Sequence, residues 1–289
     1  MEKLYEYELD INSSIAPARL VRMVGCGKRV LEVGCSSGAS SRALRDAMHC
    51  TVVGLEINTG AAAIARQYCS RVIVGNVETM DLTRELEGQV FDVITFGDVL
   101  EHLRDPLAAL IRLRPFLALE GYIVVSVPNM THFSIAFELL NGRFDYREKG
   151  LLDDTHVRFF TAKSLLRMLE EADLQPLQID RVIVEPEATE FKTTLFGPEH
   201  ISVFEYARKC NPEFMTYQFV VKAVIPLGGI PESSMEIQAR EEVDDLKVLL
   251  AKSRSYSAAL QSKIDWIEGR LPMRLIRKIA KMLPWHGQA

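Results

Sequence analysis

The sequence has no run approaching the ~20 consecutive apolar residues that a bilayer-spanning helix needs, no CxxC pair among its five cysteines, and no excess of positive charge. The first absence argues against an integral membrane protein. Cys26, Cys35, Cys50, Cys69 and Cys210 are odd in number and mostly set in apolar runs, which argues against a disulfide framework or a zinc site and fits buried thiols in a reducing compartment. A formal net charge of −5 argues against a surface given over to nucleic acid. Met1-Glu2-Lys3-Leu4-Tyr5-Glu6 lacks the basic start and apolar run of a secretory signal, so a cytoplasmic protein is expected. What the chain does have is 289 residues and 48% hydrophobic content, enough for one large domain with an appendage.

The opening segment, 1–27, shows helical spacing over 17–26. From 28 to 226 short apolar, β-branched segments alternate with helical ones. Strands are predicted at 29–34, 51–56, 71–75, 91–96 and 121–127, and helices near 39–48, 59–69 and 106–117. This βαβα rhythm predicts an α/β fold, a doubly wound and mostly parallel sheet covered on both faces. Asp105-Pro106 suits a helix start, with Asp105 as N-cap and Pro106 at the first helical position. Residues 128–161 turn irregular and read as a substrate-side insertion. A helix at 162–173, a strand at 175–185, a second insertion at 186–215 and a strand at 216–226 follow, and these last two strands could pair antiparallel.

Pro226-Leu227-Gly228-Gly229-Ile230-Pro231 reads as the start of a linker spanning 227–232. Beyond it Val243, Leu246, Leu250, Ser253, Ser257, Leu260, Ile264, Ile267 and Leu271 alternate steps of three and four, a heptad seam weakened by its serines. Segment 233–271 is therefore either a coiled coil joining copies of the chain into a homo-oligomer or a single amphipathic helix packed on the preceding domain. The final stretch, 272–289, follows Pro272; residues 270–289 carry a formal +5 against −10 for the rest of the chain. Between 272 and 285 Arg and Lys fall among apolar residues and end at Trp285, the composition of a helix lying on an anionic membrane surface. A solvated or partner-bound tail is the alternative.

The chemistry concentrates at the predicted strand ends. Val30-Leu31-Glu32-Val33-Gly34-Cys35-Ser36-Ser37-Gly38 reads as a buried strand running into a glycine loop and a helix. A pyrophosphate loop would read G-x-G-x-x-G. Here Gly34 and Gly38 are spaced G-x-x-x-G, and Glu32 would set an anion against bound phosphates, which disfavours a nicotinamide-dependent oxidoreductase. A ligand with a cationic end suits Glu32 better. Glu56 ends the second strand, where a carboxylate can accept both hydroxyls of a ribose or simply be a surface acid. Asn76, in Gly75-Asn76-Val77-Glu78, can meet an adenine edge through its amide, and the fourth strand leaves the sheet through Gly97-Asp98.

In the order VLEVGCSSG, VVGLEIN, GNVE and FDVITFGDVLEHLRDP the chain resembles class I S-adenosylmethionine-dependent methyltransferases, most clearly over about residues 28–127. The resemblance implies a seven-stranded Rossmann-like sheet and S-adenosyl-L-methionine as cofactor, with no metal. It implies that Glu32, Gly34 and Gly38 hold the methionine end beside Cys35, that Glu56 holds the ribose beside Ile57, that Asn76 and Val77 flank the adenine, and that Gly97 and Asp98 line the methionine pocket. The chain departs from many members in having Ser36 for a glycine and Asn76 for a commoner Asp.

Further on, VPNMTH, GRFDY and GLLDDTHVRFFT are similar to bacterial methyltransferases associated with glycosyltransferases in polysaccharide assembly. That similarity implies O-methylation of a sugar hydroxyl in a surface polysaccharide or glycan precursor. Related segments in methyltransferases of quinones and other metabolites leave a small-molecule O- or N-methyltransferase as the alternative. A non-catalytic assembly subunit with a relic cofactor fold is opposed by the retention of Glu32, Gly34, Gly38 and Glu56. For a general base His156 is the first candidate, with Asp154 to orient its ring and Arg158 to bind an anionic acceptor. His132 is the second candidate, and a structural role capping or bridging loops is the alternative for either. His102 reads as a pocket wall, while His49, His200 and His286 lack polar company.

Overall fold

The computed structural model describes residues 8–185, 188–191 and 201–226. The expectations for the linker, the heptad seam and the basic tail fall on residues 227–289 and lie outside the described residues. Lead-in helix α1 (Ala16–Val24) precedes β1 (Arg29–Val33), α2 (Ala39–Asp46), β2 (Thr51–Glu56), α3 (Thr59–Ala65), β3 (Arg71–Val74), the single turn α4 (Leu82–Glu85) and β4 (Phe91–Gly97). A 3-10 turn at Leu100–His102, α5 (Pro106–Leu113), a second 3-10 turn at Arg114–Phe116, β5 (Leu117–Pro128) and α6 (Phe133–Leu140) follow. The described part ends with α7 (Ala162–Glu171), β6 (Gln175–Ile183), α8 (Ile201–Cys210) and β7 (Thr216–Val224).

The seven strands form one sheet in the order β3-β2-β1-β4-β5-β7-β6. The first five run parallel, and β7 is antiparallel to both β5 and β6, so the last two strands do pair antiparallel, with helix α8 between them inside the expected insertion. Alternation along the central strands builds two cores. Leu31, Val33, Ile94, Phe96, Ile123, Val125, Phe219 and Val221 pack on one face with residues of α5 and α7. Val30, Val52, Val93, Val124 and Val220 face the other way, against α1 and α2. A third apolar cluster joins α6 to Leu151, Leu152, Phe191 and Phe214, fastening the 128–161 connection over the sheet edge.

The predicted helix starts hold where local chemistry sets them. Asp105 caps α5 by accepting from the Ala108 N–H at 2.9 Å, and Thr161 and Ser164 form a reciprocal capping box on α7. The helix expected to reach 117 stops at Leu113, because Pro115 lacks the N–H a further turn would use. The strand expected from 121 begins at Leu117 instead, and a shift of register between Phe91 and Val93 absorbs the Glu120-Gly121 interruption that hid its first turn. Cys26 and Cys210 are exposed rather than buried.

Phe96 is fully buried at the middle of the sheet, whereas Leu119 is 80% exposed. Phe96→Ala should lower unfolding free energy by ~3–5 kcal/mol and Leu119→Ala by less than ~0.5 kcal/mol, read as urea midpoint shifts at constant m-value.

Candidate active site

Strand β1 lies between β2 and β4, so the chain leaves β1 in one direction across the sheet and returns to its other side with β4. Parallel sheets of this kind open a crevice at that switch point, outside the carboxyl ends of the strands. A cavity of about 750 Å³ lies there, lined from β1 by Glu32, Gly34 and Cys35, from β2 by Glu56 and Ile57, from β3 by Asn76 and Val77, and from β4 by Gly97 and Asp98. It is large enough for a nucleoside-sized ligand and an acceptor.

The loop after β1 can take its path because Gly34 has φ +70° and a Cβ there would lie 2.5 Å from Val99 Cγ2. Gly38, at φ +88°, N-caps α2 and packs on Ala65 and Tyr68. It does not line the cavity, which takes Ala39 and Ser40 instead. Ser36, the departure from glycine, holds the left-handed region at φ +48°. Its N–H donates to Glu56 Oε2 at 2.7 Å, while Glu56 Oε1 accepts the Asn58 N–H at 2.8 Å. One carboxylate thus ties the β1 loop to the β2 loop and keeps lone pairs for a ligand. Asn76 accepts the Glu78 N–H through Oδ1 at 2.8 Å, and Arg112 braces the same turn by donating to the Val77 carbonyl at 2.8 Å.

Glu32 is buried and accepts a hydrogen bond from Ser41, and burial pushes its carboxyl up to about 8 despite that bond. Asp98 sits at φ +54°, accepts from Ser126 Oγ and Gln218 Nε2 at 2.5 Å each, and is likewise raised by burial. A cavity walled by desolvated carboxyls favours a ligand that brings positive charge.

The far side of the cavity is built by residues 150–157 folding over the 3-10 turn. Val157 N–H and Arg158 N–H both donate to the Glu101 carbonyl, at 2.9 and 3.0 Å. This places His156 against His102, their ring centroids 4.9 Å apart, and both line the cavity with Glu101 and Asp153. His156 Nδ1 lies 3.2 Å from the Leu151 carbonyl, which can only accept, so Nδ1 carries the proton and Nε2 is the basic nitrogen of the neutral ring. Glu101 is 1% exposed with Oε2 unpartnered among the described residues, and burial with Asp98 and Asp153 nearby raises its carboxyl well above the usual range.

The remaining expected catalytic residues do not meet there. Asp154 and Arg158 are exposed and outside the lining. Asp153, one residue earlier, is the acid that turns inward, accepting from the Thr155 N–H at 2.9 Å. Arg158 instead donates to the Arg104 carbonyl. His132 is fully buried away from the cavity, N-capping α6 by accepting from the Ser134 N–H, its ring 4.3 Å from Phe133 and 5.4 Å from Tyr217. That is the capping alternative. Glu101, Asp153 and Gln218 were missed; an acid inside the apolar VLEHL stretch was the one sequence sign of Glu101.

The model of a family described as "Methyltransferase domain" matches residues 14–179, more than half of the chain, and the chain belongs to that family. It carries a class I S-adenosyl-L-methionine-dependent methyltransferase domain. A ubiquinone biosynthesis O-methyltransferase of Dinoroseobacter shibae is 28% identical over 165 residues, 55% of this chain and 65% of that protein. Its counterpart in Actinobacillus pleuropneumoniae is 29% identical over 159 residues, 52% of this chain and 66% of that one. The chain thus spans just under two thirds of these relatives. A SAM-dependent methyltransferase from Archaeoglobus fulgidus shares the fold at 22% identity and TM-score 0.52, over 72% of this chain and 91% of that one. Another from Thermotoga maritima does so at 17% and 0.51, over 74% and 89%. No helix among the described residues is long and apolar enough to cross a membrane.

In Glu56→Gln the amide nitrogen cannot accept one of the two backbone N–H groups that the carboxylate holds, so if Glu56 binds the ribose, affinity for S-adenosyl-L-homocysteine should fall ~10-fold or more by calorimetry, with a loss of ~1–3 kcal/mol in unfolding free energy. Burial holds His132 at about 4, below the ordinary value of about 6.5, so the unfolded chain takes the proton first. The stability from the neutral ring is whole above about pH 6.5 and is lost as pH falls toward about 4. Between those limits the wild type should lose up to ~3 kcal/mol more than His132→Asn, measured by denaturation across the pH range.

Proposed function

We propose that the protein moves the methyl group of S-adenosyl-L-methionine to a hydroxyl of a small, quinone-like metabolite, with His156 as the general base. The observation that carries this reading is the single cavity that joins the cofactor edge of the sheet to the Glu101, His102 and His156 side chains. When bound, the cofactor supplies an activated methyl on sulfur and its own leaving group. Glu32, the Gly34 loop, Glu56, Asn76 and Asp98 are the groups that would hold it. The names of the relatives support a quinone-like acceptor better than the sugar hydroxyl of a glycan that the 128–161 segments suggested.

The protein's main task is alignment, since holding reactants in attack geometry is worth ~7–11 kcal/mol and a general base ~3–5 kcal/mol. The Leu151 carbonyl fixes the His156 ring so that Nε2 takes the hydroxyl proton, and His102, anchored at 3.2 Å to the Thr155 carbonyl, packs that ring from its edge. Glu101, His102 and His156 also bring their ligand atoms within 4.8 Å of one another, a donor set that could hold a divalent ion. Turnover that persists in EDTA is expected if His156 acts as base, whereas loss restored by Mn²⁺ would assign activation of the hydroxyl to an ion.

His156→Ala should lose ~10²-fold or more in kcat while cofactor affinity stays unchanged. Unchanged kcat would remove the residue from the reaction. For the acceptor, methyl-labelled cofactor offered in parallel to hydroxylated quinones and to nucleotide sugars should label the former; label in sugars alone would restore the glycan reading.

A further inference from the structure

Two cysteines meet beneath the cofactor loop, and the methyl-transfer chemistry uses neither sulfur. Cys35 follows Gly34 in the loop after β1 and is buried; Cys69 follows α3 and is half-buried. They arrive from different elements at one spot above Gly54 of β2, the residue paired with Glu32 of β1. A Cβ on Gly54 would stand 2.6 Å from Cys35 Sγ and 3.2 Å from Cys69 Sγ, so the absence of a side chain there is what lets both sulfurs in. Both sulfurs thus share the space over Gly54. Cys69 donates to Ser41 Oγ at 3.2 Å, and Ser41 donates to the buried Glu32 carboxylate. Hydrogen bonds therefore run from the Cys69 thiol through Ser41 to Glu32, an acid that lines the cavity.

The geometry points to a reversible redox switch: oxidation by a peroxide joins Cys35 to Cys69 as a disulfide and lowers affinity for the cofactor. Cys69 is the sulfur oxidised first. It is the more accessible of the two, and the neighbouring Cys35 thiol with Arg45 nearby draws its thiol below the ordinary value, while the Cys69 sulfur and burial push the Cys35 thiol up. The Cys69 sulfur attacks one peroxide oxygen, the O–O bond breaks, and a sulfenic acid and water form. The Cys35 sulfur then attacks the Cys69 sulfur; the S–S bond forms, the S–O bond breaks, and the oxygen leaves as a second water with the Cys35 proton. Two thiols are oxidised and one peroxide is reduced to two waters.

The consequence follows from what the thiols hold. Cys35 sits between Gly34 and Ser36, whose N–H is fixed by Glu56, so tying its side chain to the end of α3 displaces the loop that faces the methionine end. Ser41 also loses the thiol that donates to it, which alters its hold on Glu32. The switch depends on the cofactor site and is independent of the acceptor.

The test uses the full chain with the exposed thiols removed (Cys26→Ser with Cys210→Ser), S-adenosyl-L-homocysteine as probe, and hydrogen peroxide as oxidant. After peroxide, non-reducing peptide mapping should find the Cys35 peptide linked to the Cys69 peptide. Calorimetry should find affinity reduced ~10-fold or more and restored by dithiothreitol. Adding Cys69→Ser should keep affinity before peroxide and make it insensitive afterwards; if that variant does not fold, the link and its reversal in the parent decide alone. No linked peptide, a linked peptide with unchanged affinity, or an equal loss in Cys69→Ser would each overturn the switch. Absence of binding before peroxide would instead overturn the cofactor assignment, on which the switch rests, while mass spectrometry still reports whether the link forms.

Discussion

The parallel pairing of β1 with β2 on one side and β4 on the other is the constraint on which the rest depends. It brings the carboxyl ends of those strands to one edge, where backbone groups no longer find partners in the sheet. The chain meets that need with side chains. Glu56 takes the N–H groups of Ser36 and Asn58, Ser126 and Gln218 hold Asp98, and Arg112 braces the turn after β3. These bonds also fix the polar groups that face the cavity, so stabilising the edge and preparing the site are one operation. Ser36 and Asp98 both hold positive φ without being glycine, a local strain that the surrounding bonds sustain.

Electrostatics then selects the ligand. Glu32, Asp98 and Glu101 are buried carboxyls held above the ordinary carboxylate range by desolvation, and in the case of Glu101 by its acidic neighbours as well. Such groups wait for positive charge or a proton. A sulfonium cofactor with an ammonium end answers that condition, whereas a dinucleotide with a pyrophosphate does not. The 150–157 segment closes the opposite wall through the Glu101 carbonyl and so brings His156 to a site whose other groups lie on β1 to β4.

The parallel half of the fold was legible because its strands are short, apolar and β-branched and its helix starts carry local caps such as Asp105. The first turn of β5 was not, since Glu120-Gly121 reads as a break and only pairing with β4 reveals a strand through it. That most of the expected cofactor residues would gather at one edge was legible for the same reason as the strands: each lies at or just past a strand's carboxyl end. Gly38, expected at the methionine end, lies outside the cavity lining and packs on Ala65 and Tyr68 as the N-cap of α2. The catalytic side was harder. Asp153 and Asp154 are adjacent and chemically identical, and which one turns inward depends on the turn closed by the Asp153 carboxylate on Thr155. Polar neighbours in sequence also do not distinguish His132, a buried cap, from His156, which lines the cavity. Glu101 needed the later segment folded over it before its burial could be seen.

The crystal structure of the protein with S-adenosyl-L-homocysteine tests the account most directly. It should show the ribose hydroxyls on Glu56, the adenine between Ile57 and Asn76-Val77, and the sulfur between the Gly34 loop and Gly97-Asp98, with its open side toward Glu101, His102 and His156. A nucleoside bound elsewhere, or a sulfur facing away from those three residues, would contradict it.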